Sequence, residues 1–330
     1  MLTAPRLRAR RAPIIGPMHL LLPFAGAASP AAAQAASTLN LPRLERLLAL
    51  LTVDVRLAGD ELSLSAPHET VLAQALGWPL VDGLLPLAER SAAADGLATA
   101  ESSDTRGWGL LSPCHWHLGN EFVTLSDPAE LALDEAGSRQ LFQALLPLFD
   151  HDGWRLLWGA PSRWYARHAS LAKLPTASLD RVVGRNIDLW LTKHVDARPM
   201  RRLQAEAQML LHSHPLNAVR EEQGLLPVNS VWLSGTGPAG LPSRTEVPVL
   251  LDGLRQPALA GDWTAWAEAW AVLDAGPLAQ ALAALQAGGP LQLTLCGELH
   301  AQTWCSQPRS LWSRWLGPRR QAAAPVLESL

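Results

Sequence analysis

Arginine is the residue type in the middle of the chain whose chemistry most clearly suggests a binding site. Between positions 181 and 220 the sequence places Arg181, Arg185, Arg198, Arg201, Arg202 and Arg220. A guanidinium group forms paired hydrogen bonds with carboxylate or phosphate oxygens. Arg181 and Arg185 are four residues apart, so they share one face of a helix that Ser178 can cap. The alternative is an ion-pair network, because Asp188 and Glu206 are close enough in sequence to pair with these arginines.

A glycine-containing segment offers a second place for an anion. The β-branched run 228–233 predicts a strand that ends in Ser234-Gly-Thr-Gly237. A glycine turn at the end of a strand can direct backbone N–H groups inward and cradle a phosphate. No helix follows at once and the Walker lysine is absent, which excludes a P-loop and a Rossmann fingerprint. Two interpretations stay open, a phosphate-binding turn and a plain structural turn.

Two pairs of histidines have spacings that could serve a metal. In Cys114-His-Trp-His117 the two histidines would lie on the same face of a strand. In His212-Ser-His214 they would diverge unless the helix has already unwound before Pro215. Zinc requires three or four ligands, and no Cys-x-x-Cys or His-Glu-x-x-His motif supplies the rest. The sequence therefore favours packed or hydrogen-bonded histidines, with His115 and His214 as candidates for contact with a ligand.

Tryptophan is unusually frequent, with 14 in the chain against one tyrosine and four phenylalanines. Trp263, Trp266 and Trp270 fall at helical spacing and form one aromatic stripe. Core packing explains such a stripe. The alternative is a surface for a protein partner, completed by Trp312 and Trp315.

The elements that must position these residues alternate between strands and helices. This order predicts an α/β fold with a mixed sheet flanked by helices. The predicted strands span 18–24, 53–64 as a hairpin, 110–117, 122–125, 154–158, 228–233, 247–251 and 291–295. The predicted helices span 42–51, 67–76, 82–93, 138–149, 262–274 and 276–287, and 178–217 is predicted to be mostly helical. The small, polar stretch 91–104 predicts a linker.

That linker divides the chain into an N-terminal α/β part, 18–95, and a main α/β domain, 105–316. Residues 1–17 are expected to be a disordered or spurious extension, and 317–330 a frayed tail. Arginines followed by apolar residues imitate a signal peptide near the N-terminus, but Pro17 and Pro23 interrupt the apolar part. The sequence therefore favours a cytoplasmic protein, with Met18 as an alternative start.

Composition excludes several classes of protein. The 330 residues are 48% apolar and 17% charged, with a formal net charge of −3. This balance gives no overall attraction to nucleic acid or to an anionic membrane. Three cysteines are too few for a disulfide framework. No apolar run approaches the roughly 20 residues that span a bilayer.

Several segments together resemble one bacterial family, the RpfE-type regulatory proteins. They are His115-Trp116 with Asp127-Pro128, 174–188, 201–211 with His214-Pro215, 229–237, and 261–263 with 295–298. The resemblance runs from about residue 18 to 303 and implies a regulatory function. Some members of the family carry the label cofactor-independent phosphoglycerate mutase, a class similar in fold to alkaline phosphatases.

The mutase class uses two metal ions, a Ser or Thr nucleophile and an Asp directly after the first strand. Here the first strand runs into Pro23-Phe-Ala-Gly26, which contains no Asp. We therefore expect no cofactor, and a divalent metal only if the protein is a phosphoglycerate-mutase-like enzyme after all.

These observations lead to one expectation and one alternative. We expect a non-catalytic, cytoplasmic regulatory-type protein with a phosphoanion-binding pocket; the alternative is a phosphoglycerate-mutase-like phosphate-ester enzyme. The expected partner is a small phosphorylated metabolite, or a protein bound through the Trp-rich surface, and neither nucleic acid nor a membrane. The candidate ligand-binding residues are Arg181, Arg185, Arg201, Arg202, His115, His214, Asn229, Ser234, Gly235, Thr236 and Gly237.

Overall fold

The structure, a computed structural model, describes residues 18–26, 28–97, 106–150, 153–191, 194–307 and 321–330. Its strands are β1 (Met18–Leu22), β2 (Thr52–Ala58), β3 (Gly107–Cys114), β4 (Trp116–Leu118), β5 (Val123–Leu125), β6 (Arg155–Ala160), β7 (Arg163–His168), β8 (Ser230–Gly237), β9 (Val249–Leu250), β10 (Leu291–Cys296) and β11 (His300–Cys305). Its α-helices are α1 (Pro30–Thr38), α2 (Pro42–Leu50), α3 (Pro67–Leu76), α4 (Leu87–Ala94), α5 (Glu135–Leu145), α6 (Leu179–Val182), α7 (Arg198–His212), α8 (Pro215–Glu222), α9 (Arg255–Leu259), α10 (Trp263–Leu273), α11 (Ala279–Gln286) and α12 (Ala323–Glu328).

A five-stranded mixed sheet carries the first strand at its centre. The strand order is β2-β11-β10-β1-β9. Strand β1 runs parallel to both of its neighbours, β10 and β9, whereas β11 runs antiparallel to β10 and β2. A continuous apolar strand such as β1 is typical of a parallel pair that is covered on both faces. The predicted α/β fold with a mixed sheet and flanking helices is confirmed.

One face of this sheet is apolar and is covered by helices. Leu20, Leu293 and Trp304 point to this face and pack with the fully buried Trp266 and Trp270 of α10. The leucines of α2 recur at positions 44, 47 and 48, so that helix buries a single stripe against the same core. The core interpretation of the tryptophan stripe holds for these two residues.

The opposite face of the sheet is more polar, because side chains alternate along each strand. Here His19 of β1 is hydrogen-bonded to Thr294 of β10, with 2.9 Å between Nε2 and Oγ1. Helix α3 covers the carboxyl half of this face, where Val71 packs against Leu21 and Cys296.

The middle of the chain forms a second sheet, which is antiparallel and has the order β6-β7-β3-β8. Its core is closed by α5 and α7. The Ser138 hydroxyl accepts hydrogen bonds from the indole N–H groups of Trp158 and Trp164, at 3.1 and 3.0 Å, and donates to the Pro161 carbonyl. The helix predicted over 138–149 begins earlier, because Asp134 caps it by accepting from Gly137 N at 2.8 Å.

Three other sequence predictions are wrong. The hairpin over 53–64 does not form, because β2 ends at Ala58 and pairs with β11. The domain division fails in one respect: strands from 18–58 and from 249–305 share one sheet, and the antiparallel sheet is inserted between them. Within 317–330, residues 321–330 are not frayed, since α12 buries Val326 and Leu327 in the core. The region 178–217 is mostly helical, as predicted: 179–182, 198–212 and 215–217 are α-helical, and 187–189 and 195–197 form short 3-10 helices.

The predicted extension 1–17 and half of the predicted linker, 98–104, lie outside the described residues.

Candidate functional site

A cleft of about 250 Å³ lies at the carboxyl edge of the five-stranded sheet. Strands β1 and β10 are parallel, so the segments that follow them meet at the same edge, where α/β proteins commonly bind ligands. Phe24 and Gly26 follow β1, and Gly297 and Glu298 follow β10; all four line the cleft. The topology therefore places a concave site where the two parallel strands end.

Phe24 adopts a strained backbone conformation at this edge. Its φ is +56°, in the left-handed region that bulky residues rarely occupy. The indole N–H of Trp266 donates to the Phe24 carbonyl at 2.9 Å and holds this conformation in place. The Phe24 ring lies 5.8 Å from the His68 ring. Strain of this kind is concentrated at functional sites in proteins.

A carboxylate already occupies the mouth of the cleft. Glu298 forms an ion pair with Arg185 through Oε1 and accepts a hydrogen bond from the Ala28 backbone N–H through Oε2, at 3.3 Å. The side chains of Arg185 and Glu298 are 33% and 31% exposed, so solvent reaches the pair. Burial lowers the pKa of the Arg185 guanidinium, and the nearby charge of Arg181 lowers it further.

Arg181 builds the wall of the cleft. Its guanidinium donates to the carbonyls of Asp60 and Glu61 at 3.0 and 2.8 Å, of Ser63 at 3.0 Å and of Glu298 at 2.8 Å. The residue is buried, and burial lowers its pKa. Four of its five N–H groups are therefore committed to backbone carbonyls, so Arg181 positions two loops instead of contacting a ligand.

Charged side chains form a network along another wall. His68 Nε2 lies 3.2 Å from Asp180 Oδ2, and Arg255 contacts Asp180 Oδ1 at 2.6 Å and Asp127 Oδ2 at 3.0 Å. Burial alone lowers the pKa of His68, but the hydrogen bond to Asp180 and the charges of Asp180 and Glu69 raise it above its ordinary value. Burial raises the pKa of Asp180, yet His68 and Arg255 together bring it down to about 2. The His68 imidazolium therefore faces the cleft beside a firmly ionised carboxylate.

A second buried carboxylate, that of Glu69, lies next to His68 in the chain. It accepts hydrogen bonds from the Ser178 hydroxyl at 2.8 Å and from the Ala66 N–H at 3.1 Å. Burial raises the pKa of Glu69, although His68 opposes this shift.

The predicted glycine turn is wrong. Ser234 to Gly237 continue strand β8 and pack beneath α4. Gly235 has a φ of +65°, and a Cβ there would lie 2.9 Å from the Ala88 nitrogen. The Thr236 hydroxyl is bonded to the hydroxyl of Thr176 at 2.8 Å. The glycines thus permit close packing of a helix on a strand, and no phosphate cradle is formed.

The other arginines of the predicted pocket lie apart from the cleft. Arg201 and Arg202 are exposed on α7, where Arg202 Nε lies 3.5 Å from Glu206 Oε1. Arg201 lines a separate cavity of about 40 Å³ together with Trp232. Of the four arginines predicted to hold a phosphoanion, only Arg181 and Arg185 line the cleft.

The predicted polar residues His115, His214 and Asn229 fix local backbone. His115 Nδ1 is bonded to the Pro227 carbonyl at 2.9 Å, and His214 Nδ1 accepts from Leu216 N at 3.2 Å as the cap of α8. The Asn229 amide bonds both backbone groups of Trp116, at 2.7 and 3.0 Å. None of these three residues lines the cleft.

Sequence reasoning missed the residues that form most of this site, namely His68, Asp180, Arg255 and Glu298. None of these four residues was among the candidate ligand-binding residues. One signal in the sequence could have identified part of the site. Charged residues are rare inside apolar segments, and His68-Glu69 lies in such a segment, in the first turn of α3.

Neither a metal-binding cluster nor a membrane-spanning helix is found among the described residues. No group of three His, Cys, Asp or Glu side chains lies close enough there to hold a metal ion. The rings of His115 and His117 are 6.4 Å apart. No helix in the described part of the chain is long and apolar enough to cross a bilayer.

The Trp-rich surface predicted to bind a protein partner is smaller than expected, because part of it is buried. Trp266 is fully buried, and Trp263 is half-buried and lines the cleft. Trp312 and Trp315 lie outside the described residues.

Fold and site together define an α/β protein with a charged cleft at the carboxyl edge of a mixed sheet. No protein-family model matches the chain, and no curated protein matches it. Among solved structures, a cofactor-independent phosphoglycerate mutase from Thermoplasma acidophilum is similar at 13% identity and a TM-score of 0.38, over 95% of this chain and 98% of that one. The PH0037 protein from Pyrococcus horikoshii is similar at 10% identity and a TM-score of 0.44, over 93% and 92% of the two chains. Likeness at this level carries no argument about activity, and the relation to alkaline phosphatases stays a prediction.

Proposed function

We propose that this chain is a non-catalytic, cytoplasmic regulatory-type protein that binds a small anionic metabolite, such as a phosphate ester, in the cleft at the carboxyl edge of the sheet. One observation carries the proposal. The Glu298 carboxylate sits between the Arg185 guanidinium and the Ala28 N–H, which is the arrangement of donors that an external anion requires. The resemblance to RpfE-type proteins supports a regulatory purpose for the binding.

The ligand enters by displacing Glu298. Both groups of the Arg185–Glu298 pair are partly exposed, so the carboxylate can swing into water at little cost. The incoming anion then takes the guanidinium and the backbone N–H, and the protonated His68 adds positive charge to the cleft. A volume of about 250 Å³ is at the small end for ligand sites, which favours a small metabolite over a dinucleotide.

Calorimetric titration of the full chain with a panel of phosphorylated metabolites tests this proposal. Losing a charge-assisted hydrogen bond costs about 1.5–3 kcal/mol, so we expect Arg185→Ala to weaken binding about 10- to 100-fold. Glu298→Gln should strengthen binding several-fold, because the competing internal anion is removed.

Arg202→Ala is the matched control, since Arg202 belongs to another arginine–glutamate pair outside the cleft. Equal weakening by Arg202→Ala and Arg185→Ala, or no binding by any member of the panel, would refute the proposal.

A phosphate-ester enzyme is the second candidate, and one observation favours it. Ser29 lines the same cleft and caps α1, with its Oγ accepting from Ala32 N at 3.1 Å. The Ser29 oxygen would bond to the phosphorus of a bound phosphomonoester as the ester P–O bond breaks. The alcohol would leave with the Ser29 proton, and water would then hydrolyse the phosphoserine. Phosphomonoester turnover that Ser29→Ala abolishes, while metabolite binding persists, would favour the enzyme over the non-catalytic protein.

A further inference from the structure

A second cavity, of about 490 Å³, lies on the polar face of the five-stranded sheet. Its floor is formed near the amino ends of the two parallel strands, where His19 of β1 pairs in register with Gln292 of β10. The candidate cleft lies at the opposite, carboxyl ends of the same strands. The two cavities share the sheet and helix α3 but no lining residue, so an inference about this one does not depend on the proposed function.

The alternation of side chains explains why this floor is polar. Leu20 and Leu293 point into the apolar core, so His19, Gln292 and Thr303 face the other side. Helix α3 covers only part of that side. Its last turn, with Gln74, and the segment 244–247 form the remaining walls.

A rigid hydrogen-bonded chain crosses the floor of the cavity. His19 Nε2 is bonded to the Thr294 hydroxyl at 2.9 Å, and that hydroxyl is bonded to the Thr303 hydroxyl at 2.9 Å. Burial lowers the pKa of His19 to about 4, so its imidazole is neutral at physiological pH. The floor therefore presents fixed, uncharged polar groups.

The polar side chains that surround this floor form no hydrogen bond or ion pair with the described residues. The side-chain amides of Gln74 and Gln292 make no hydrogen bond there, and neither Arg244 nor Glu246 forms an ion pair within that part of the chain. Two opposite charges only two residues apart thus face the cavity without neutralising each other.

The other lining residues limit the class of ligand that the cavity can hold. Val55, Val71 and Val247 form apolar wall. No aromatic ring of Phe, Tyr or Trp lines the cavity within the described residues, so a nucleobase would find no stacking partner. A ligand that matches the lining carries one carboxylate, one ammonium group and a short aliphatic or amide-bearing side chain.

We propose that this cavity binds a free α-amino acid, whose carboxylate pairs with Arg244, whose ammonium group pairs with Glu246, and whose side chain lies between the valines and the amides of Gln74 and Gln292. An arginine–carboxylate pair and a carboxylate–ammonium pair at the mouth fix the orientation of the ligand. The neutral floor accepts the side chain without adding net charge.

Thermal-shift and calorimetric titrations of the full chain with the twenty amino acids test this proposal. We expect at least one aliphatic or amide amino acid to bind, and its N-acetyl and C-amide derivatives to bind at least ten times more weakly. Arg244→Ala and Glu246→Gln should each weaken binding of the parent amino acid about tenfold. Both residues are exposed, so the variants should keep the fold.

The derivatives separate a true site from general electrostatic attraction. In Glu246→Gln the penalty for N-acetylation should largely disappear, and in Arg244→Ala the penalty for C-amidation should disappear. The control variant Arg202→Ala, outside both cavities, should leave all affinities unchanged. The proposal is overturned if no amino acid binds, if a neutral polyol binds as well as the best amino acid, or if the variants do not remove their matching penalties.

Discussion

At the scale of single residues, the His68 imidazole is the group whose charge depends most on its surroundings. It is mostly buried, yet Asp180 and Glu69 keep it protonated, and Arg255 opposes them. Because its pKa is higher in the folded protein than in the unfolded chain, protonation stabilises the fold. This contribution is complete below the unfolded value of 6.5 and is lost as pH rises through the folded value.

The variant His68→Gln tests this linkage. We expect the difference in the free energy of unfolding between the parent chain and the variant to shrink as the pH rises above 6.5 in urea titrations. A His68 pKa at or below 6.5 in an NMR titration would contradict the argument.

At the scale of elements, several helices are completed by residues distant in sequence. Helix α2 has no side chain of its own at its N-terminal cap. The buried carboxylate of Asp274 accepts from the backbone N–H groups of Arg43 and Leu44 instead, at 3.1 and 2.8 Å. This bond locks α2 onto the helical segment that follows α10, so one carboxylate serves both a cap and a packing contact.

Replacing Asp274 should therefore be costly. We expect Asp274→Ala to reduce the free energy of unfolding by about 2 kcal/mol, the upper end for the loss of a cap. Asp262→Ala removes an exposed cap within its own helix, α10, and should cost about 1 kcal/mol. Chemical denaturation of both variants makes the comparison, and a smaller loss for Asp274→Ala than for Asp262→Ala would be inconsistent with this role.

The packing of α4 on β8 gives a second prediction at this scale. Gly235 and Gly240 both have positive φ, +65° and +71°, but only Gly235 is crowded, since an added Cβ at Gly240 meets nothing within 4 Å. Gly240→Ala should cost about 1 kcal/mol for its backbone conformation alone. Gly235→Ala should cost about 1–3 kcal/mol more because α4 must move. Equal losses of thermal stability in the two variants would show that the close approach is unimportant.

At the scale of the whole molecule, buried charges join the two sheets. Arg181 lies in the segment between β7 and β8 of the antiparallel sheet, and it bonds carbonyls of the loops after β2 and β10 of the mixed sheet. Removing it leaves four backbone carbonyls without this donor. We expect Arg181→Ala to lower the free energy of unfolding by about 3 kcal/mol or more, against less than about 0.5 kcal/mol for exposed Arg202→Ala.

The denaturation curve also reports how the sheets are coupled. A shallower or two-step transition in Arg181→Ala would mean that the two sheets unfold separately once the link is lost. A variant as stable as the parent chain would remove Arg181 from this role.

How far the sequence predicts this molecule depends on the range of the interactions involved. The helix at 67–76 and the strand that begins at Met18 follow from local patterns, and both are confirmed. Strand β11 was not predicted, because its mixture of polar and apolar residues does not indicate a strand by itself. It forms a strand by pairing with β10 and β2. Gly235 looked like a turn because its crowding by α4 is a tertiary contact.

The candidate site was harder to predict for the same reason. Arg185 was identified from its spacing, but its partner Glu298 lies more than a hundred residues later and on another element. Asp180 and Arg255, which are 75 residues apart, meet only when both sheets are in place. Local sequence patterns do not contain such pairings.

The position of β1 between β9 and β10 has a consequence for synthesis of the protein on the ribosome. His19 and its hydrogen-bond partner Thr294 are 275 residues apart. At about 5–20 residues per second, an apolar strand emerges on the order of ten seconds or more before its neighbours exist. Strand β1 therefore stays unpaired until nearly the whole chain has been translated. During that time a chaperone or transient collapse of the nascent chain must keep this apolar segment from aggregating.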